Sequence, residues 1–142
     1  MASTYSNLKI QLMATGENAG TWGNVTNVNL GTALEQAIVE NADIDFTSGD
    51  VTLTLTDTNA AQNARALRLT TTNMSAAQDL IVPAIEKPYI INNTGSSYTV
   101  TVKVSGQTGV AVPAGKTMWV YNNGTDVVDP VNHLTRKLQP RC

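Results

Sequence analysis

Tyr98-Thr99-Val100-Thr101-Val102-Lys103-Val104 places a valine at every second position and a hydroxyl or an ammonium between. Only an extended strand sorts such a pattern, because successive side chains of a β-strand point to opposite faces. Three valines share one face and polar groups the other, so the stretch reads as a half-buried strand. Val51-Thr52-Leu53-Thr54-Leu55-Thr56 repeats the alternation, and Leu67-Arg68-Leu69-Thr70 does so again. Leu80-Ile81-Val82 ends at Pro83, and Pro88-Tyr89-Ile90-Ile91-Asn92 closes at Asn93-Thr94-Gly95. Gly106 to Gly109 turn the chain into Val110-Ala111-Val112. Pro113-Ala114-Gly115 read as a hairpin turn into Lys116-Thr117-Met118-Trp119-Val120-Tyr121. Asn122-Asn123-Gly124 supplies the positive φ of a tight turn, after which Val127-Val128 returns.

Short strands at intervals of about 8 to 15 residues, separated by Asn, Gly and Pro, predict a mainly β protein, an antiparallel, jelly-roll-like β-sandwich. The sandwich is expected over residues 44–129, with Asp57 to Ala66 a loop, a module of N-terminal arm and helix over 1–43, and a basic tail over 130–142.

The helix is read from Thr21 to Val39. Val25, Val28, Leu30, Leu34, Ala37 and Ile38 recur at spacings of three and four, Thr21 is placed to cap the start, and Glu35-Gln36 face out. Gly31 weakens such a helix by up to about 1 kcal/mol relative to alanine, which points to close approach of another backbone. Asn24, Asn27 and Asn29 also make it a poor free-standing helix.

At 142 residues the chain is one domain's worth and long enough to bury a core. It is 42% hydrophobic but only 14% charged, against a usual charged share of about 25%, so neutral Thr, Asn, Ser and Gln must carry the polar surface. All eleven acidic residues but only six of the nine basic ones lie at or before Asp129, which makes the body acidic. Phosphate binding needs clustered cations, so a nucleic-acid surface is not expected. The single cysteine, Cys142, excludes an intrachain disulfide or a multi-cysteine zinc site. With no apolar run of about 18 residues and no secretion-type start, neither membrane insertion nor export is expected, and synthesis is placed in a cytoplasm.

Reaction chemistry finds little footing. Gly109-Val110-Ala111-Val112-Pro113-Ala114-Gly115-Lys116-Thr117 has the outline of a phosphate-binding loop, but five residues separate its glycines where four are required, and a strand follows where a helix should. Asp43 with Asp45, or Asp126 with Asp129, offer too few oxygens for calcium, which takes six or more. His133 is the only imidazole and has no acid or nucleophile at a readable spacing. No catalytic residue, metal or cofactor is therefore expected, and the chain is read as no enzyme.

Trp22 and Trp119 are the large anchors. Trp119 shares a strand face with Thr117 and Tyr121, while Met118 and Val120 take the other. If the aliphatic face lies in the core, Trp119 and Tyr121 are exposed, and the pair could stack on a sugar ring or on a neighbouring subunit.

The run Leu8 to Leu34, with Thr15-Gly16-Glu17-Asn18-Ala19-Gly20-Thr21-Trp22-Gly23 and Asn27-Val28-Asn29-Leu30, resembles the N-terminal module of tail-fibre-like virion proteins of bacteriophages of marine bacteria and cyanobacteria. Ile85-Glu86-Lys87-Pro88-Tyr89-Ile90-Ile91-Asn92-Asn93, Val112-Pro113-Ala114-Gly115-Lys116-Thr117 and Val120-Tyr121-Asn122-Asn123-Gly124-Thr125 are similar to the β-domain that follows in the same proteins. The motifs are short, and their order along one chain carries the likeness.

The resemblance implies a non-enzymatic structural protein of the virion, usually a homotrimer, mounted on other tail or capsid proteins through its N-terminal part. Members of the family often continue past the equivalent of Val127-Val128-Asp129 into a shaft and receptor-binding tip; with 13 residues after Asp129, this sequence favours an adaptor, a short fibre base or a head-surface decoration over direct receptor binding. A capsid decoration or head fibre is the nearest alternative, and a β-sandwich contacting a host-surface glycan through Trp119 and Tyr121 is another. Trp22, Val25, Val28, Leu34 and Ile38 are the expected subunit or virion contacts. Leu134, Arg136, Lys137 and Leu138 are a candidate docking tail, with Leu134 and Leu138 one helical turn apart.

Overall fold

The computed structural model describes residues 4–54 and 64–131. Leu55 and Thr56 of the second alternating stretch, most of the expected loop, and the tail residues Leu134, Arg136, Lys137 and Leu138 lie outside the described residues.

The chain opens with a small hairpin, β1 (Thr4–Tyr5) against β2 (Gln11–Leu12). A helix follows in three parts: α1 (Trp22–Val28), a π-helical turn over Asn29–Leu34, and α2 (Glu35–Ile38). Thr21 stands at the N-cap as expected, but its side chain makes no capping bond; the hydroxyl reaches Asn18 Oδ1 at 3.5 Å instead. A Cβ placed on Gly31 would meet nothing within 4 Å, so no other backbone among the described residues approaches it.

Among the described residues after the helix, nine strands form two sheets. They are β3 (Asn41–Asp45), β4 (Val51–Thr52), β5 (Ala66–Thr70), β6 (Gln78–Val82), β7 (Glu86–Asn93), β8 (Val100–Val104), β9 (Val110–Val112), β10 (Thr117–Asn123) and β11 (Val127–Val128). The larger sheet has the order β11-β10-β7-β5-β3 and the smaller β4-β6-β8-β9. Their inner faces close over one core: Ile44, Leu67, Leu69, Tyr89, Ile91 and Val120 from the first, Leu80, Val100, Val102 and Val112 from the second, with Phe46 between. Fully burying an aliphatic or aromatic side chain is worth about 1.5–3 kcal/mol. The fold is mainly β, as the alternation predicts, and its strands pack as a sandwich.

Strand direction departs from the antiparallel expectation. From β3 to β8 the chain crosses to the opposite sheet at every step, so each strand lies beside the one two positions earlier. β3·β5·β7 and β4·β6·β8 are therefore parallel. In the larger sheet the register advances by 25 residues from Asn41 to Ala66 and by 24 from Ala66 to Ile90. A parallel pair needs a long crossover, usually a helix; here a strand of the other sheet makes that return. Only β9, β10 and β11 reverse the winding, pairing antiparallel with β8, β7 and β10. The Pro113-Ala114-Gly115 turn accordingly joins two sheets rather than closing a hairpin, while Asn122-Asn123-Gly124 does open the hairpin of β10 and β11.

Two buried asparagines tie the sheets at these turns. Asn93 Nδ2 donates to the carbonyls of Tyr98 and Val112 at 3.0 Å each, and its Oδ1 accepts from Gly95 N–H. Asn122 Nδ2 donates to Pro83 O at 2.6 Å while its Oδ1 accepts from Gly124 N–H. Both side chains are fully buried with both ends of the amide engaged, the condition under which a buried polar group costs little.

Candidate functional site

The N-terminal module has almost no core of its own. Nine of the thirteen exposed large apolar side chains among the described residues lie in its first 39 positions, whereas Ala33 and Ala37 are its only buried residues before the strands begin. The Asn29 amide holds the hairpin to the helix. Asn29 Oδ1 accepts from Gln11 N–H at 2.8 Å, and Asn29 Nδ2 donates to Gln11 O at 3.0 Å, as a neighbouring strand would. Gly16 and Gly20, at φ of 80° and 83°, make the turns that bring the chain from β2 into α1.

The helix keeps two faces from end to end. Val25, Asn29, Ala33 and Ala37, four residues apart, are half-buried or buried, and Trp22, Leu30, Leu34 and Ile38 are exposed. Trp22 is 65% exposed, Leu30 and Ile38 57%. A row of residues four apart slips around an α-helix by about 40° per step. Through the π turn, where hydrogen bonds reach five residues back, the slip is reversed, and the drift over the length is partly cancelled. Thr26, half-buried between Trp22 and Leu30 in that row, turns its hydroxyl onto Trp22 O at 2.9 Å.

Of the residues expected to make contacts, Trp22, Val28, Leu34 and Ile38 stand exposed and Val25 half-buried. Leu30, which the spacing identified as apolar but not as a contact, completes the exposed row. Leu34 and Ile38 also line a groove of about 440 Å³ between the module and the β-body, closed on the other side by Arg65, Ile85, Lys87 and Pro88.

Lys87 and Tyr89 sit inside the sandwich near that groove. Burial, with Arg65 as a second cause, lowers the Lys87 ammonium to about 8. Its Nζ lies 5.0 Å from the centre of the Tyr89 ring, a distance at which ring and cation attract. Burial also raises the Tyr89 phenol, whose hydroxyl has no hydrogen-bond partner among the described residues.

The second exposed apolar surface is the outer face of the larger sheet. The aliphatic side of β10 packs inward, so Trp119 stands 55% exposed with Tyr121 half-buried beside it. Trp119 faces Ile90 across the strands, and Tyr121 faces Pro88 on one side and Val128 on the other. The next row is polar. Thr117 Oγ1 lies 3.3 Å from Asn92 Oδ1, and Arg68 Nη2 contacts Asp43 Oδ2 at 2.7 Å. That bond from Arg68 holds the Asp43 carboxyl below its ordinary range.

The acidic residues weighed as ligands have other work. Burial alone would raise the Asp126 carboxyl, but the N–H groups of Gly109, Val127, Val104 and Thr108 together hold it below the usual range. Its oxygens accept from Val127 at 2.7 Å, Gly109 at 2.8 Å, Thr108 at 3.1 Å and Val104 at 3.3 Å. It thus fastens the turn after β8 to the start of β11. No group of three or more metal-ligating side chains occurs among the described residues, and no helix among them is long and apolar enough to cross a membrane.

What the fold and these surfaces define is a two-sheet β-sandwich carrying an apolar N-terminal arm. Compared with protein-family models, with curated proteins and with solved structures, the chain has no significant match.

Proposed function

We propose that this chain is a non-enzymatic structural component of a bacteriophage particle, a tail-fibre-like or fibre-adaptor protein that assembles through its N-terminal module. The observation that carries the reading is the distribution of apolar surface. The β-body buries its large side chains in one core, while the module leaves Trp22, Leu30, Leu34 and Ile38 in water. Contiguous exposed apolar surface of that kind marks an interaction site. The order of motifs along the chain supports the phage assignment, and a place on the capsid would use the same module on another platform.

Gradient-purified particles tested for the chain by mass spectrometry decide it, with the wild type beside Trp22→Ala. The wild type is expected in particles at a fixed stoichiometry and the variant at a reduced one; absence of the wild type from particles ends the reading. The exposed Trp119, flanked by amide, hydroxyl and guanidinium groups, supports contact with a host glycan as a second role. Quenching of tryptophan fluorescence by host polysaccharide, lost in Trp119→Ala, is the expected sign, and a flat titration rejects it.

A further inference from the structure

We propose that the exposed row Trp22, Leu30, Leu34 and Ile38 is a ridge that seats against the same helix of a second copy of this chain, in the shallow groove beside it. The inference rests on the assembly reading above and names the occupant of the module's surface.

The groove is the neighbouring row, Gly23, Asn27 and Gly31. Both glycines are inside the helical span, neither takes a positive φ, and a Cβ on either would meet nothing within 4 Å. Glycine in a helix interior, where Gly31 stands, costs about 1 kcal/mol against alanine, and nothing among the described residues requires glycine at either position. A neighbouring helix lying across them would. Helices pack by fitting the side-chain ridge of one into the groove of another. A helix with a ridge and a groove side by side is complementary to itself, the condition for association of identical copies.

Charge argues for the same occupant. No charged residue lies between Glu17 and Glu35. Identical helices packed around a symmetry axis bring identical side chains together, and from Trp22 to Leu34 this surface has no charge to face its like; Glu35, exposed four residues past Gly31 on the groove row, is the first. Nor does the stretch from Trp22 to Gly31 offer a charge by which an oppositely charged partner could be selected. The ridge exposes on the order of 400 Å² of apolar surface, about half of the roughly 800 Å² that each partner of a standard interface contributes. Leu12, Met13 and Val39, exposed in the same module, are available for the remainder. The π turn is what keeps the ridge continuous, since an uninterrupted α-helix would carry Leu34 and Ile38 further from the line of Trp22.

Sedimentation equilibrium of the full chain tests this, with circular dichroism as the check on folding. Gly31→Leu fills the groove where the chain itself has room, and Leu30→Asn with Leu34→Asn removes the ridge. Asn24→Leu, exposed on the opposite side of the helix, is the control. The expected result is a self-associating wild type, a loss of affinity of at least about tenfold in both altered forms with unchanged spectra, and no loss in the control. Self-association unaffected in both altered forms overturns the proposal. So does a monomeric wild type, and if that monomer still enters particles, the structural assignment stands without this contact. Altered forms that fail to enter particles yet self-associate normally would assign the ridge to a different virion protein, which also overturns it.

Discussion

Lys87 and Asp126 show how position decides what a charge does. Lys87 points into the sandwich, where burial lowers its ammonium to about 8, against about 10.4 in an unfolded chain. Between those values the unfolded chain binds more protons than the folded one, so stability rises with pH across that window and is lower beneath it. Denaturant midpoints measured between about pH 7 and pH 10 should rise for the wild type, and Lys87→Met should flatten the rise. Asp126 titrates in the opposite sense. Its carboxyl is held below the ordinary range by four backbone N–H groups, so its contribution is present above the unfolded pKa near 3.9 and is lost as pH falls through the folded value. Asp126→Ala strands those donors and should cost about 1–2 kcal/mol at neutral pH, read as a shift in denaturant midpoint. The cost should shrink in acid.

The turns and strands differ in how openly the sequence announces them. The valines at 100, 102 and 104 specify both a strand and its buried face, and each is buried. The Asn-Gly pair at 123 and 124 specifies the last hairpin, with Gly124 at φ 88°. Gly109 is needed as strictly: at φ 71°, a Cβ there would run into the carbonyl oxygen of Val102 and the Cβ of Lys103. Strand direction was not legible. A period of two says which face is buried and nothing about which way the neighbour runs, so Leu67-Arg68-Leu69 serves a parallel sheet as well as an antiparallel one. The parallel strands even look antiparallel in composition, because each has one face on the core and one in water instead of being covered on both sides. The π turn is silent for a related reason. The wider turn leaves the spacing of four among Leu30, Leu34 and Ile38 intact, and only the faces they occupy tell the two helices apart. The candidate contacts were legible as apolar helix positions. That Leu30 belongs with Trp22 while Val25 turns inward was not.

Between β3 and β8 the protein is wound rather than folded back, with successive strands of the larger sheet 25 and then 24 residues apart. Such a winding should accept another lap. Duplicating residues 66–89, one full interval of the register between Ala66 and Ile90, should add a strand to each sheet and retain a cooperative thermal transition with a β-type circular dichroism spectrum. Repeating only the first half of that interval should abolish the transition, because it delivers each later strand to the wrong sheet; if both forms melt alike, the two sheets do not advance in step. The N-terminal module enters at β3 on one edge of the larger sheet, and β11 lies at the other. Neighbouring strands stand about 4.8 Å apart, so every added lap would move the edge that carries the module one such step from the face bearing Trp119. The sandwich is in that respect a ruler graduated in strand widths, and the gap it spans between two binding surfaces can be reset by counting laps, with neither surface redesigned.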